Sequence, residues 1–151
     1  MKWKLLYDKR EIDLISYVKS YLATNDNIQI FIGTDSQNRR GTTHFAFVIV
    51  LYKEGKGGHV LYSRKVVTRM RDMVERLLKE VEYSINIADE LKNSGIDRIL
   101  TIDLDLNEDK LYKSNKVLTS ALGWCKGMGY EVRIKPMALA SSYCADRLAK
   151  A

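Results

Sequence analysis

Apolar residues recur along this chain with two different periods, and the places where the period changes mark out its elements. Ile12, Ile15, Val18 and Leu22 fall on one face of a 3.6-residue spiral. Asp8-Lys9-Arg10-Glu11 ahead of them has the form of a capping box, with Asp8 in the usual place of Ser or Thr. This predicts a helix over 9–24, ended by Asn25-Asp26-Asn27. The run 28–36, Ile-Gln-Ile-Phe-Ile-Gly-Thr-Asp-Ser, is apolar on both faces and reads as a central strand. Two further β runs, 44–52 and 59–67, flank the turn Gly55-Lys56-Gly57-Gly58 and read as its antiparallel neighbours. The period then turns helical over 70–93, with Met70, Met73, Val74, Leu77, Leu78, Val81, Ile85, Ala88 and Leu91 in one stripe. A strand over 97–105, a helix over 111–128, a strand over 130–135 and a last helix over 139–150 complete the chain. The last two strands alternate with helices and should run parallel to the first. The expected fold is therefore α/β: a five-stranded mixed sheet, made of a three-strand antiparallel meander plus two parallel strands, flanked by helices.

At 151 residues the chain fits one domain, with 1–27 an accessory N-terminal helix on a core of 28–151. A 46% hydrophobic content and a single Pro fit a folded globule. No apolar run reaches the roughly 18 residues of a membrane span, and the first residues are too short in apolar character for a signal peptide. Cys125 and Cys144 lack metal-ligand spacing and are expected as reduced thiols of a cytoplasmic protein. With 25 Lys and Arg against 19 Asp and Glu, the net charge is +6. Such a balance is either ordinary solubility charge or a field that attracts a polyanion.

The acids change the picture. Asp35 closes the first β run, and Asp103 and Asp105 close the fourth. Glu75, Glu80 and Glu82 lie on the long helix, and Asp146 on the last one. Carboxylates at the ends of buried strands are costly unless their charge is compensated. Divalent cations do that, and oxygen donors suit Mg²⁺ or Mn²⁺. Phe31, Gly33 and Asp35 share one strand face, where Gly33 leaves room for a close approach. Each acid also has an ordinary role open to it. Asp35 suits an Asx-turn with Ser36, and Asp105 a solvated loop with Asn107, Glu108 and Asp109. Glu80 and Glu82 flank the apolar stripe on opposite sides, and Asp146 can pair with Arg147 or Lys150. The residues alone choose neither between Asp103 and Asp105 nor between Glu80 and Glu82. Arg39, Arg40, Arg64, Lys65, Arg69 and Arg71 collect around the hairpins and the start of the long helix, as contacts to a phosphate backbone would. No Gly-x-Ser-x-Gly elbow and no Gly-x-x-x-x-Gly-Lys-Ser/Thr loop is present.

The order of elements, with an acid on strand one, a Glu on the sheet-packing helix, an acid on strand four and an Asp on the last helix, resembles the ribonuclease H fold. More narrowly, the chain is similar to the YkuK-type ribonuclease H-like family of bacteria and phages. The resemblance rests on Ile32-Gly33-Thr34-Asp35-Ser36-Gln37, His44-Phe45-Ala46-Phe47, Gly55-Lys56-Gly57-Gly58, Glu80-Val81-Glu82-Tyr83-Ser84, Asp105-Leu106-Asn107 and Lys113-Ser114-Asn115. It continues in Lys135-Pro136, Ala140-Ser141-Ser142 and Ala145-Asp146, and covers the chain from about residue 28 onward. Where the family pattern has His-x-Asp on strand four, this chain has Asp103-Leu104-Asp105. The resemblance implies Asp35, Glu80, Asp105 and Asp146 as catalytic acids and, with Asp103, as metal ligands. Counting back about three turns from Leu91, as the fold's helix implies, selects Glu80. It further implies two Mg²⁺ or Mn²⁺ ions and a nuclease acting on an RNA–DNA hybrid, RNA or branched DNA, and it leaves a homodimer open. A non-catalytic nucleic-acid-binding or assembly module on the same fold is the alternative.

Overall fold

In the computed structural model, which describes residues 1–106 and 117–134, seven strands form one sheet with helices packed on it. The strands are β1 (Trp3–Leu5), β2 (Glu11–Ile12), β3 (Gln29–Arg39), β4 (Thr42–Lys53), β5 (Gly57–Thr68), β6 (Leu100–Asp103) and β7 (Glu131–Arg133). The described helices are α1 (Leu14–Thr24), α2 (Met73–Asn93) and α3 (Leu118–Gly127). Their spatial order in the sheet is β2-β1-β5-β4-β3-β6-β7. The meander β3–β4–β5 is antiparallel, and β6 and β7 add in parallel beside β3. The five strands expected from the apolar runs are all present. The predicted last helix, with Asp146, Cys144 and the serines at 141 and 142, lies outside the described residues, as does the predicted helical start over 111–116.

The N-terminus corrects the expectation of a five-stranded sheet and of a helix from residue 9. Trp3 and Leu5 are buried, and β1 pairs with β5, extending the sheet by two strands. Asp8 does not cap a helix; it accepts the Arg10 N–H at 3.0 Å within a tight turn, in which Lys9 takes a left-handed φ of 64°. The helix is capped instead by Asp13, whose carboxylate accepts the Ser16 N–H at 3.1 Å. Ile12, read as the first residue of the helical stripe, belongs to β2.

Register decides which side chains meet. Ile30, Ile32, Phe45, Phe47, Ile49, Leu51 and Leu61 form one face of the sheet, and the buried stripe of α2 (Val81, Ile85, Ala88, Leu91) packs in the same core. Phe31, Ala46, Val48, Val50 and Tyr62 form the opposite face. On the helix-covered face, β3 and α2 are joined by side-chain hydrogen bonds. The Thr34 and Ser84 hydroxyls meet at 2.8 Å, Ser36 donates to Glu80 at 2.5 Å, and the Asn38 amide donates to the Met70 carbonyl at 3.0 Å.

At the hairpin tip the fully buried Thr43 ties the start of α2 down. Its hydroxyl donates to Asn38 Oδ1 at 2.5 Å and accepts the Met70 N–H at 2.8 Å. Thr43→Val should therefore leave a part-buried donor and a part-buried acceptor unmet, and lower stability by about 1 kcal/mol. A urea unfolding series gives the value directly, and a change below about 0.5 kcal/mol would show that water replaces both bonds. Trp124 is exposed, because α3 buries Leu118, Ala121 and Cys125 and carries position 124 to the flank.

Candidate functional site

Asp35, expected to close the first β run, lies inside β3, which continues to Arg39, and is 8% exposed although it is ionisable. Its neighbour Ser36 leaves the opposite face of the strand. Asp35 therefore pairs across the ladder with Ala46 on the uncovered-helix side of the sheet, while Ser36 faces α2. Glu80 comes down from α2 onto Ser36 and is 7% exposed. Glu82, two residues on, turns outward and pairs with Lys79 at 3.0 Å. Helix rotation thus separates two acids that their flanking positions left equivalent. Glu75 is exposed in the first turn of α2.

Asp103 ends β6 opposite Gly33 of β3 and Arg133 of β7. It is 1% exposed, and the Arg133 guanidinium holds it with two bonds, Nε to Oδ1 at 2.7 Å and Nη2 to Oδ2 at 2.8 Å. The same guanidinium stacks 3.8 Å over the Phe31 ring. Asp105 lies two residues past the end of β6, in the segment where Leu104 N–H is held by the Arg133 carbonyl at 2.9 Å. Of the two acids expected to close this strand, only Asp103 lies within it. Glu80, Asp103 and Asp105 do line one small cavity, with Thr34, Leu77 and Ser84, of about 10 Å³. That is room for about one water. Larger depressions of about 420 and 560 Å³ lie around Arg98 and Ile99, and the second reaches Phe31 and Arg133, the partner of Asp103.

The electrostatics tie the acids together. Burial, first of all, pushes the Glu80 carboxyl well above its usual range. The charge of Asp35 pushes it further and Asp105 adds to this, while the Ser36 hydrogen bond and the Arg76 charge oppose it. A proton held more tightly in the folded state favours folding at low pH. Glu80's contribution is thus fully present below the unfolded Glu value of about 4.3 and is lost as pH rises through the raised folded value. In chelator at neutral pH, Glu80→Gln should melt above the wild type, and the gap should close on acidification. Calorimetry across pH reads this out, and a wild type that stays the more stable at neutral pH would contradict it.

Buried, mutually repelling carboxylate oxygens are the donor chemistry of a hard divalent cation. Asp35, Glu80 and Asp105 fit such an ion by chemistry. Among the described residues, however, no three His, Cys, Asp or Glu side chains already converge as a metal-holding group. Asp35 and Glu80 approach from opposite faces of β3, which accounts for their spacing.

The basic residues divide. Arg40, Arg69 and Arg71 line an open depression of about 640 Å³ with Gly41 and Thr68. The Arg39 carbonyl accepts from Arg69 Nη1 at 3.1 Å, and the Arg69 N–H reaches the Gly41 carbonyl at 3.2 Å. Gly41, at a φ of +74°, makes the two-residue turn that brings these arginines together. Arg64 and Lys65 are consecutive on β5, so they leave opposite faces; Arg64 lies over Tyr62 and Lys65 over Tyr83.

Sequence reasoning missed the hydroxyls of Thr34, Ser36 and Ser84 that seat α2, and the Arg133 partner of Asp103. Ser84 stands four residues after Glu80, a spacing that put both on one helix face. Arg133 in a short parallel strand beside β6 was the signal for its ion pair.

No curated protein sequence matches this chain. Among solved structures, the protease–reverse transcriptase of prototype foamy virus aligns with 14% identity over 82% of this chain, at a TM-score of 0.47. The alignment covers 20% of that protein's chain, so this chain spans about one fifth of its length. The family model described as ribonuclease H-like matches residues 13–150. With a match over most of its length, the chain belongs to the ribonuclease H-like family.

Proposed function

We propose that this protein is a metal-dependent nuclease that hydrolyses phosphodiester bonds in nucleic acid. Asp35, Glu80 and Asp105 are its described carboxylates and Asp146 the fourth. The observation that carries the reading is the Glu80 carboxylate, buried against Ser36 and loaded by the charges of Asp35 and Asp105. Burial and like charge make an ionised Glu80 costly, and the Ser36 hydrogen bond and the Arg76 charge offset this only in part. Bound Mg²⁺ or Mn²⁺, two ions by the family's chemistry, would supply that charge and lower the pKa of an attacking water. The chain's own residues do the rest. Ser36 fixes the Glu80 carboxylate, and the Thr34–Ser84 contact fixes the helix that carries it. Arg40, Arg69 and Arg71 hold backbone phosphates beyond the site. With Arg133 bonded to Asp103, this reading gives the ligand role at the end of β6 to Asp105.

RNA–DNA hybrid, RNA and branched DNA are the substrates to try. Incubation with each, in Mg²⁺, in Mn²⁺ and in EDTA, should give cleavage only with metal. Absence of turnover on every substrate, with salt-sensitive binding intact, would overturn the nuclease and favour the second reading, a non-catalytic nucleic-acid-binding module. The observation favouring that module is the lack of a converged three-acid group among the described residues.

A further inference from the structure

Arg76 lies in the first turn of α2, four residues before Glu80, so the two side chains stand one above the other on the same helix face. The contacts between β3 and α2 fix its position. Ser84 meets Thr34, Glu80 meets Ser36, and Met70 meets Asn38. From Thr34–Ser84 to Ser36–Glu80, a step of two residues on the strand, about 6.6 Å, matches a step of four on the helix, about 6 Å, and Met70 lies beyond the helix start, ten residues before Glu80. Arg76 therefore falls between the Ser36–Glu80 contact and the Asn38–Met70 contact. That is the stretch separating the carboxylates from the arginines at the hairpin tip.

The guanidinium is not used by the fold in the way a structural arginine is. Its Nε is buried and, among the described residues, has no hydrogen-bond partner. A buried N–H without an acceptor costs roughly 1–3 kcal/mol, and such exceptions in a folded protein call for a cause. Arg133 shows the contrast within the same molecule, since both of its forward donors are spent on Asp103. The Arg76 charge does act on Glu80, but that alone needs a cation and no fork.

We propose that Arg76 is a catalytic residue whose guanidinium fork donates to a non-bridging oxygen of the phosphate seated at the carboxylates. It rests on the nuclease reading for its consequence in turnover, but not for the phosphate contact itself. In this position Arg76 links the carboxylate site to the phosphate contacts of Arg40, Arg69 and Arg71, making one continuous track for a backbone.

Two variants separate the contact from simple charge compensation. Binding is measured in Ca²⁺, which offsets the carboxylate charge without supporting turnover, by fluorescence anisotropy on a labelled RNA–DNA hybrid over a salt series. For Arg76→Gln, the slope of log affinity against log salt should fall by about 0.9, as loss of one phosphate contact requires. Arg76→Lys keeps the charge and the slope but loses the fork, so its affinity should fall several-fold. Both variants should lose about 10²-fold in kcat with metal, with a smaller change in KM. An unchanged slope for Arg76→Gln, or wild-type affinity and rate for Arg76→Lys, would overturn the proposal. Should Arg76→Gln not fold, as a melting curve reveals, Arg76→Lys decides alone. A wild type that binds the hybrid without ever cleaving it removes the nuclease reading, and the slope and affinity then still decide the contact.

Discussion

Asp35→Asn is expected to lower metal-dependent cleavage by at least roughly 10²-fold, because the charge a carboxylate contributes at such a site is worth several kcal/mol. The folded protein should survive the change. Asp35 is 8% exposed and loads Glu80 with like charge, so neutralising it relieves repulsion in the absence of metal. In EDTA the variant should melt at or above the wild-type temperature. Millimolar Mn²⁺ should raise the melting temperature of the wild type by mass action and that of the Asp35→Asn, Asp105→Asn pair far less. Cleavage that persists undiminished in Asp35→Asn would remove the proposed chemistry. A variant much less stable in EDTA would mean that Asp35 is a structural hydrogen-bonding group.

The largest effect on stability is expected at Arg133. Its removal leaves Asp103, whose side chain is fully buried, without its two-bond partner, and also strips the cover from Phe31. Loss of one member of a buried ion pair costs about 3–5 kcal/mol. The Arg133 side chain keeps 30% of its exposure, which argues for the lower end of that range. Arg133→Met should thus lower stability by about 3 kcal/mol, or roughly 6–12 °C in melting temperature. An apolar pair, Arg133→Met with Asp103→Leu, should recover most of the loss, since no charge is then left stranded. Asp103→Asn should spare cleavage while lowering stability. If instead it abolishes cleavage at unchanged stability, Asp103 and not Asp105 is the functional acid.

Much of this architecture was legible because it follows from local pattern. The continuous apolar runs at 28–36, 44–52 and 59–67 became β3, β4 and β5, and the switch to a 3.6-residue period at Met70 became α2. Parallel addition of β6 and β7 followed from helices between strands. The N-terminal hairpin was not legible. Trp3 and Leu5 are too few to show a period, and Asp8 with Glu11 imitates a helix start that Asp13 in fact supplies. What separates strand from helix there is the pairing of β1 on the edge of β5, a long-range contact.

The site divides in the same way. Buried strand-end acids pointed to Asp35 and to the Asp103, Asp105 pair, and the helical period narrowed the rest to Glu80 and Glu82. What distinguishes the members of each pair is tertiary, the rotation that places Glu80 on Ser36 and the Arg133 fork that holds Asp103. The basic residues were named as one set, but strand alternation sends Arg64 and Lys65 to opposite faces and leaves Arg40, Arg69 and Arg71 as a group.

A crystal structure of the protein grown or soaked with Mn²⁺ tests the central claim most directly, because anomalous scattering locates the ion without reference to any substrate. The account predicts Mn²⁺ bound by carboxylates of the set Asp35, Glu80 and Asp105, with the Arg133–Asp103 pair undisturbed. Mn²⁺ held by Asp103 after displacement of Arg133, or no Mn²⁺ at these carboxylates at millimolar concentration, would contradict it.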